Sequence, residues 1–528
     1  MRLLPFYAAL AVALLHPAEI LAQEAPQLVG LHATFLTLEK SSGSIFASDS
    51  KVTQSRATQM AWGPGPDPTS EYLYVASDAH GVRRLEYDPM TGTLADLMSV
   101  LPSVRGNGLA FHVDAQGRWE MYLTEPYASA NDLSVELSRL WRYVDSDEDG
   151  VFDGPADTAA AIVLGIPLRQ HTLNQIQFLS DTLYVGSGTR TLNGALQTFT
   201  ADTLGESAYG GTILFIEDVT LVPTSANAAG FSAYLSDPTL VEYEQIIKGI
   251  APGAEEPFTS NALDKLRVHS SGTRNPFGLA IDRFSQIWFT NNFHRVNNFG
   301  YDRLVVDETA DRDSFDGPSN DDVHDQLFVA VEFGDYGYRN GNWQSNEAAQ
   351  TAGFYSAVTD PALASPTHVF DNLDLDGASG PDTDSQSSAF NAFHDPSNPV
   401  GLGPHAAATG LDFGPSNWPA RYRDQIFIGR YNGGFDLMQV HGLLYRDIVL
   451  VDRDTGDVER VIEQLAGPTD VLADSQGNLL IASYFGSVWR LSPAPASVPS
   501  LDAAHRVLLV MFLVCAGGWG SKRYRRAT

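Results

Sequence analysis

The sequence predicts an all-β protein, a six-bladed β-propeller with long loop insertions, flanked by an N-terminal signal peptide and a C-terminal apolar helix. Three observations predict it. Gly, Pro, Asn, Asp and Ser are abundant and long helical patterns are few, which favours short strands joined by many turns. One unit recurs six times: a short apolar strand, a polar turn with Gly or Asp, a second strand, then the opening of a third. Such a meander cannot bury both faces alone, and radial packing of several of them does so. With 43% hydrophobic and 10% aromatic residues in 528, the chain can also fill one large core. A pair of β-sandwiches would account for the strands but not for the six echoes.

In chain order, residues 1–22 form the expected signal peptide, with Arg2, an apolar run from Ala8 to Leu15, and Ala22 before Gln23. Residues 23–54 are a lead-in, and 55–492 the propeller. Its units begin near Met60, Gly108, Ile176, Gly278, Gly410 and Asp470, and the third to fifth carry the insertions. Residues 493–506 are a Pro/Ala/Ser linker, and 507–528 an apolar stretch ending in Lys522, Arg523, Arg525 and Arg526. The single cysteine, Cys515, lies in that stretch, so the main domain has neither disulfide nor thiol chemistry. With 33 basic and 64 acidic residues the net charge is −31, which argues against nucleic acid and anionic membrane surfaces as partners of the main domain. It suits an exported protein or one that binds cations.

The stretch "DSDEDGVFD" has the order of an EF-hand-like calcium loop. Asp145, Asp147 and Asp149 stand at positions one, three and five, Gly150 at six, Val151 at the backbone-carbonyl position seven and Asp153 at nine. Position twelve is Ala156 rather than Glu, so the bidentate ligand of such loops is missing or comes from elsewhere. The acidic runs from Val306 and from Asp371 lack ligand spacing. No Gly-x-Ser-x-Gly elbow, dinucleotide glycine pattern, phosphate loop or His-Glu-x-x-His motif is present.

Four segments carry a resemblance. "GTRNPFGLAID", "FGDYGYRNGNW" from Phe333, "PARYRDQIFIG" from Pro419 and "GPTDVLADSQGNLLIASY" resemble, in order, segments of the soluble quinoprotein glucose dehydrogenases and sorbosone dehydrogenase-like proteins. The resemblance implies a six-bladed propeller using pyrroloquinoline quinone (PQQ), with His171 as the catalytic base. A base titrating near neutrality suits removal of a sugar hydroxyl proton as hydride leaves the same carbon. It further implies that Arg274 and Asn275 contact the cofactor's carboxylate and quinone oxygens, and that Arg274 favours charge developing in the reaction. Taken bare, His171 also fits a strand cap, and Arg274 and Asn275 fit a turn pinned before Pro276. The chain departs from the family in the closing blade, where Gly467 to Val471 includes no cation, and in "TNNFHRVNN" from Thr290, which replaces a Gly-Pro calcium pair. Arg430 is the candidate substitute charge for the cofactor. The C-terminal order of Val498-Pro499-Ser500-Leu501, apolar run and basic cluster resembles an exosortase-type sorting signal. The expectation is therefore an exported sugar dehydrogenase, periplasmic, cell-surface or extracellular, with a sugar substrate, calcium, transient membrane attachment through the C-terminus and a sorting protease as partner. A non-catalytic carbohydrate- or protein-binding propeller and a metal-dependent hydrolase or lactonase are the alternatives.

Overall fold

The computed structural model describes residues 26–42, 56–65, 71–101, 104–128, 136–152, 158–167, 171–189, 211–221, 266–271, 273–292, 324–330, 334–335, 367–368, 400–404, 406–431 and 446–494. The expected signal peptide, the C-terminal apolar segment and Asp153 lie outside them. No helix among the described residues is long and apolar enough to cross a membrane.

The chain is a six-bladed β-propeller of antiparallel sheets. Blade one runs outward through Ala57–Pro64, Glu71–Ser77, Gly81–Asp88 and Thr93–Leu101. Blade two runs through Gly108–Val113, Trp119–Ala128, Glu136–Val144 and Thr158–Pro167. Blade three has Leu173–Leu179, Thr182–Ser187, Thr212–Ile216 and Leu266–Ser271, with the short Gly334–Asp335 and Thr367–His368 added in parallel. Blade four has Pro276–Ile281, Ile287–Asn291, His324–Val329 and Val400–Pro404. Blade five has Ala408–Phe413, Ile426–Arg430, Asp447–Val451 and Val458–Glu463, with Gln27–Leu28 on its outer edge.

Blade six takes Pro468–Ala473, Leu479–Ser483 and Val488–Pro493 from the end of the domain, and its outer strand, Leu36–Lys40, from the beginning. The sequence places that last segment in the lead-in. In the fold it closes the ring, because Leu36 pairs with Pro493 and Lys40 with Trp489. A strand drawn from each end joins the termini of the domain by backbone bonds that neither end makes alone.

Apolar side chains fill the seams between neighbouring blades, with little needed within a single sheet. Leu73, Val75 and Leu85 of blade one meet Leu480 and Val488 of blade six, and Trp288 and Leu327 of blade four meet Leu411 and Ile428 of blade five. Each of these residues is buried. Burial of this kind contributes about 25 cal/mol per Å² and favours the closed ring over any single blade.

Candidate functional site at one mouth of the ring

Inner strands in a propeller all run the same way, so their six starts form one mouth, and the second strands end there. The described backbone shows this as a repeat. The N–H of the residue after the second strand bonds the carbonyl just ahead of the inner strand in five blades: Asp78 to Arg56 (3.2 Å), Gly188 to Thr172 (3.0 Å), Asn292 to Asn275 (3.0 Å), Tyr431 to Ala407 (3.0 Å) and Tyr484 to Gly467 (2.8 Å). His171 with Thr172, and Arg274 with Asn275, therefore stand at equivalent places on blades three and four.

The turn at blade four is fixed by a side chain of the adjacent strand. Asn291 Oδ1 accepts the backbone N–H groups of both Arg274 (3.0 Å) and Asn275 (3.1 Å). This holds the two residues just ahead of Pro276, whose ring fixes φ and removes a donor. The Arg274 guanidinium, on a residue 6% exposed, donates through Nη1 to the Asn292 carbonyl at 3.1 Å. Between the blades lies Gly188, where a Cβ would stand 2.2 Å from the His171 Cβ and 2.7 Å from Asn275 Oδ1. Only glycine lets both candidate residues pack against this one backbone position.

His171 is half-buried, and its ring Nε2 is covered and has no hydrogen-bond partner among the described residues. Burial first, and then the Arg274 charge, hold the imidazole well below its ordinary value of 6.5. It is therefore neutral at physiological pH and carries an unused ring nitrogen. The structure brings His171, Arg274 and Asn275 together.

Arg430 also stands at the mouth end of its blade, but its guanidinium is engaged by other groups. It ends the second strand of blade five, and its Nε donates to Asp447 Oδ1 at 2.7 Å and its Nη1 to the Leu402 carbonyl at 2.8 Å. Asp447 is 1% exposed and is also paired with Arg460. The guanidinium ties blade five to the outer strand of blade four and neutralises a buried carboxylate. That is where the structure directs the charge expected to face a cofactor.

The mouth holds groups the sequence did not single out. On the side of blades six and one, the Arg56 guanidinium pairs with Asp78 at 2.6 Å and lies 5.8 Å from the centre of the Tyr484 ring. Tyr431 meets Tyr484 edge to face at 5.5 Å. Arg56 has φ 50, a left-handed conformation uncommon for a non-glycine residue, and its N–H reaches the Tyr484 carbonyl at 2.7 Å. The signal available was its place: Arg56 precedes the first strand of its unit just as Arg274 and Asn275 precede theirs.

Below the mouth the channel is filled. Gln175 of blade three donates to Asp470 Oδ1 of the opposite blade six at 2.8 Å, and the Met60 N–H of blade one donates to Asp470 Oδ2 at 2.7 Å. Gln59 Oε1 accepts from the Leu109 N–H at 2.7 Å and the Ile176 N–H at 3.2 Å. Gly410 makes room, since a Cβ there would lie 2.0 Å from Asp470 Oδ1. The channel axis below the mouth is thus crossed by a polar layer.

The acidic loop lies on the other face. Asp145 follows the third strand of blade two, which ends away from the mouth, and Tyr74 bonds both the Gly150 carbonyl and the Pro64 carbonyl at 3.0 Å. Carboxylate oxygens of Asp145, Asp147 and Asp149 lie within 4.8 Å of one another, a spacing one cation can span. Asp145 is 1% exposed and accepts the Gly150 N–H at 2.8 Å, while Asp149 accepts the Val151 N–H at 2.7 Å.

No protein-family model matches the chain, and no curated protein matches it in sequence. Solved structures do. The calcium structure of the Trichoderma reesei carbohydrate-active enzyme of family AA12 is 14% identical, with 90% of this chain and 98% of that chain covered and a TM-score of 0.52. The iodide structure of the same enzyme is 13% identical, with 90% and 98% covered and a TM-score of 0.52. The holo form of the pyranose dehydrogenase PQQ domain from Coprinopsis cinerea is 12% identical, with 89% and 97% covered, but its TM-score of 0.48 carries no argument. The likeness is one of fold.

Proposed function

We propose that the chain is an exported, quinone-dependent sugar dehydrogenase whose active site is this mouth. The observation that carries the reading is the neutral, partly covered His171 imidazole with its unpartnered Nε2, set beside Arg274 and Asn275. The donor set suits PQQ: a guanidinium and a carboxamide can hold carboxylate and quinone oxygens. When bound, PQQ supplies the acceptor for the two electrons that leave the sugar carbon as hydride.

The chain's own residues do the rest. His171 takes the hydroxyl proton of that same carbon onto its unpartnered Nε2, which substrate binding has to uncover, so the C–O bond gains its second component as the C–H pair departs. Arg274 favours negative charge forming at the mouth and, by keeping His171 neutral, keeps the base ready. Calcium at Asp145, Asp147 and Asp149 belongs to this reading as a brace on the far face. Export and the C-terminal sorting signal rest on the sequence alone. The cation-free closing blade and the pairing of Arg430 with Asp447 favour a second reading, a carbohydrate-binding propeller without redox activity.

Titration of the purified protein with PQQ and calcium, followed by absorbance, tests the proposal. Saturable one-to-one binding is expected, with a loss of about 10-fold or more in Arg274→Ala. His171→Ala is expected to keep the binding while sugar oxidation falls by about 10²–10⁴-fold. An absence of binding at high micromolar PQQ overturns the reading and leaves the binding propeller.

A further inference from the structure

A carboxamide has an accepting end and a donating end, and which end Asn275 turns to the mouth decides what it can hold. That choice is made by a neighbour with no contact to the pocket. Asn174, on the inner strand of blade three and 2% exposed, donates through one nitrogen to two acceptors: Asn275 Oδ1 at 2.8 Å and the Pro276 carbonyl at 3.0 Å.

The carbonyl of Pro276 can only accept, so it obliges Asn174 to present its NH₂ there. The second hydrogen of the same NH₂ then requires an acceptor, and Asn275 turns its Oδ1 inward to meet it. A backbone atom that cannot be flipped thus sets the orientation of both amides, and the assignment does not rest on either amide alone. Gly188 closes the same end of Asn275 from the other side. The Asn275 Nδ2 has no partner among the described residues.

We propose that Asn174 is a positioning residue that makes the Arg274–Asn275 edge of the mouth donor-only. That edge then accepts ligand groups that carry lone pairs and no hydrogen, such as quinone, carbonyl and carboxylate oxygens, and discriminates against groups that donate, while His171 beside it remains the acceptor. This rests on the proposed function for the identity of the ligand. The orientation itself rests only on Asn174, Asn275 and Pro276.

The test compares two substitutions that a purely structural role would not distinguish. Asn174→Asp offers only acceptors, so it repels the Pro276 carbonyl and bonds the Asn275 Nδ2 instead, turning the Asn275 oxygen to the mouth. Asn174→Ala merely releases the amide. In absorbance titrations with PQQ and calcium, Asn174→Ala is expected to weaken binding about 3-fold to 10-fold, and Asn174→Asp about 100-fold. In an Asn275→Ala background the two substitutions become equivalent, because no amide remains to turn. Equal losses in the two single variants, or an Asn174→Asp excess that persists without Asn275, overturn the inference.

A second readout needs no cofactor. With ¹⁵N-asparagine labelling, the Asn275 side-chain NH₂, identified by its loss in Asn275→Ala, exchanges rapidly with water in the unaltered protein and slowly in Asn174→Asp. Slow exchange in the unaltered protein overturns the inference. If PQQ fails to bind the unaltered protein the dehydrogenase reading falls, and this exchange measurement still decides the orientation.

Discussion

At the scale of the residue, His171 shows how neighbours keep a common side chain neutral, at a cost to its basicity. A histidine on a surface shares its nitrogens with water and titrates near 6.5. Here burial and the Arg274 charge both oppose the cation, so the folded protein binds the proton less well than the unfolded chain. The sign follows: this group contributes stability that is fully present above 6.5 and is lost as pH falls below it. Titration by NMR of histidine-labelled protein, with the resonance assigned by its loss in His171→Ala, is expected to show protonation well below 6.5. In Arg274→Ala the midpoint should rise, yet stay below 6.5, because burial is the larger cause and remains. An unmoved midpoint would mean the guanidinium has no electrical hold on the imidazole. The position of His171 ahead of a strand was legible in the sequence. Its unpartnered nitrogen was not, since that depends on which groups from distant segments come to lie around it.

At the scale of the element, the echoes are legible because one turn device repeats. In "DAQGR", "DRFSQ" and "DSQGN" an aspartate at the end of the inner strand accepts two N–H groups of the turn that follows. Asp114 takes those of Gln116 and Arg118, Asp282 those of Phe284 and Gln286, and Asp474 those of Gln476 and Asn478, all at 2.8 to 2.9 Å. Asx turns of this kind are encoded locally, so the inner strands of blades two, four and six could be found from short patterns. The closing strand Leu36–Lys40 has no such local mark, because its partner lies over 450 residues away. The acidic loop is the intermediate case: its ligand spacing is local, but the face it occupies is set by the third strand of blade two. Because that face is opposite the mouth, calcium there should act on stability and not on cofactor contacts. Calcium is expected to raise the melting temperature and chelation to lower it, with Asp147→Asn abolishing the difference and leaving PQQ affinity within about 2-fold at saturating calcium. A large loss of PQQ affinity in Asp147→Asn would place the loop's influence at the mouth after all.

For the whole molecule the question is what holds a ring of six blades at its axis, where strands are closest and side chains must share one narrow space. The answer is three polar side chains that looked like ordinary strand residues in the sequence. Gln59 of blade one bonds blades two and three, Gln175 of blade three also accepts the Leu279 N–H of blade four at 3.1 Å, and Asp470 of blade six bonds blades one and three. No short motif announces them, since every partner comes from a different blade. Asp470 matters most because it also spans the seam where the ring closes. It is 4% exposed, and burial, with a smaller push from Asp412, raises its carboxyl to about 8. The folded state therefore holds a proton that the unfolded chain releases near 3.8, and the contribution to stability is full below that value and is lost as pH rises toward about 8. Across that window the loss is at most about 1.4 kcal/mol per pH unit. Because both oxygens accept N–H groups, Asp470→Asn must set its own NH₂ against one of those donors, which costs about 1–3 kcal/mol. It also removes the titration. Thermal melts of the two proteins at several pH values should show the unaltered protein ahead by most near pH 4, the gap narrowing as pH rises, and Asp470→Asn overtaking it before pH 8. A gap that stays constant or widens with pH would mean Asp470 is already charged in the fold, and that the axis is held by a buried carboxylate rather than by a carboxylic acid.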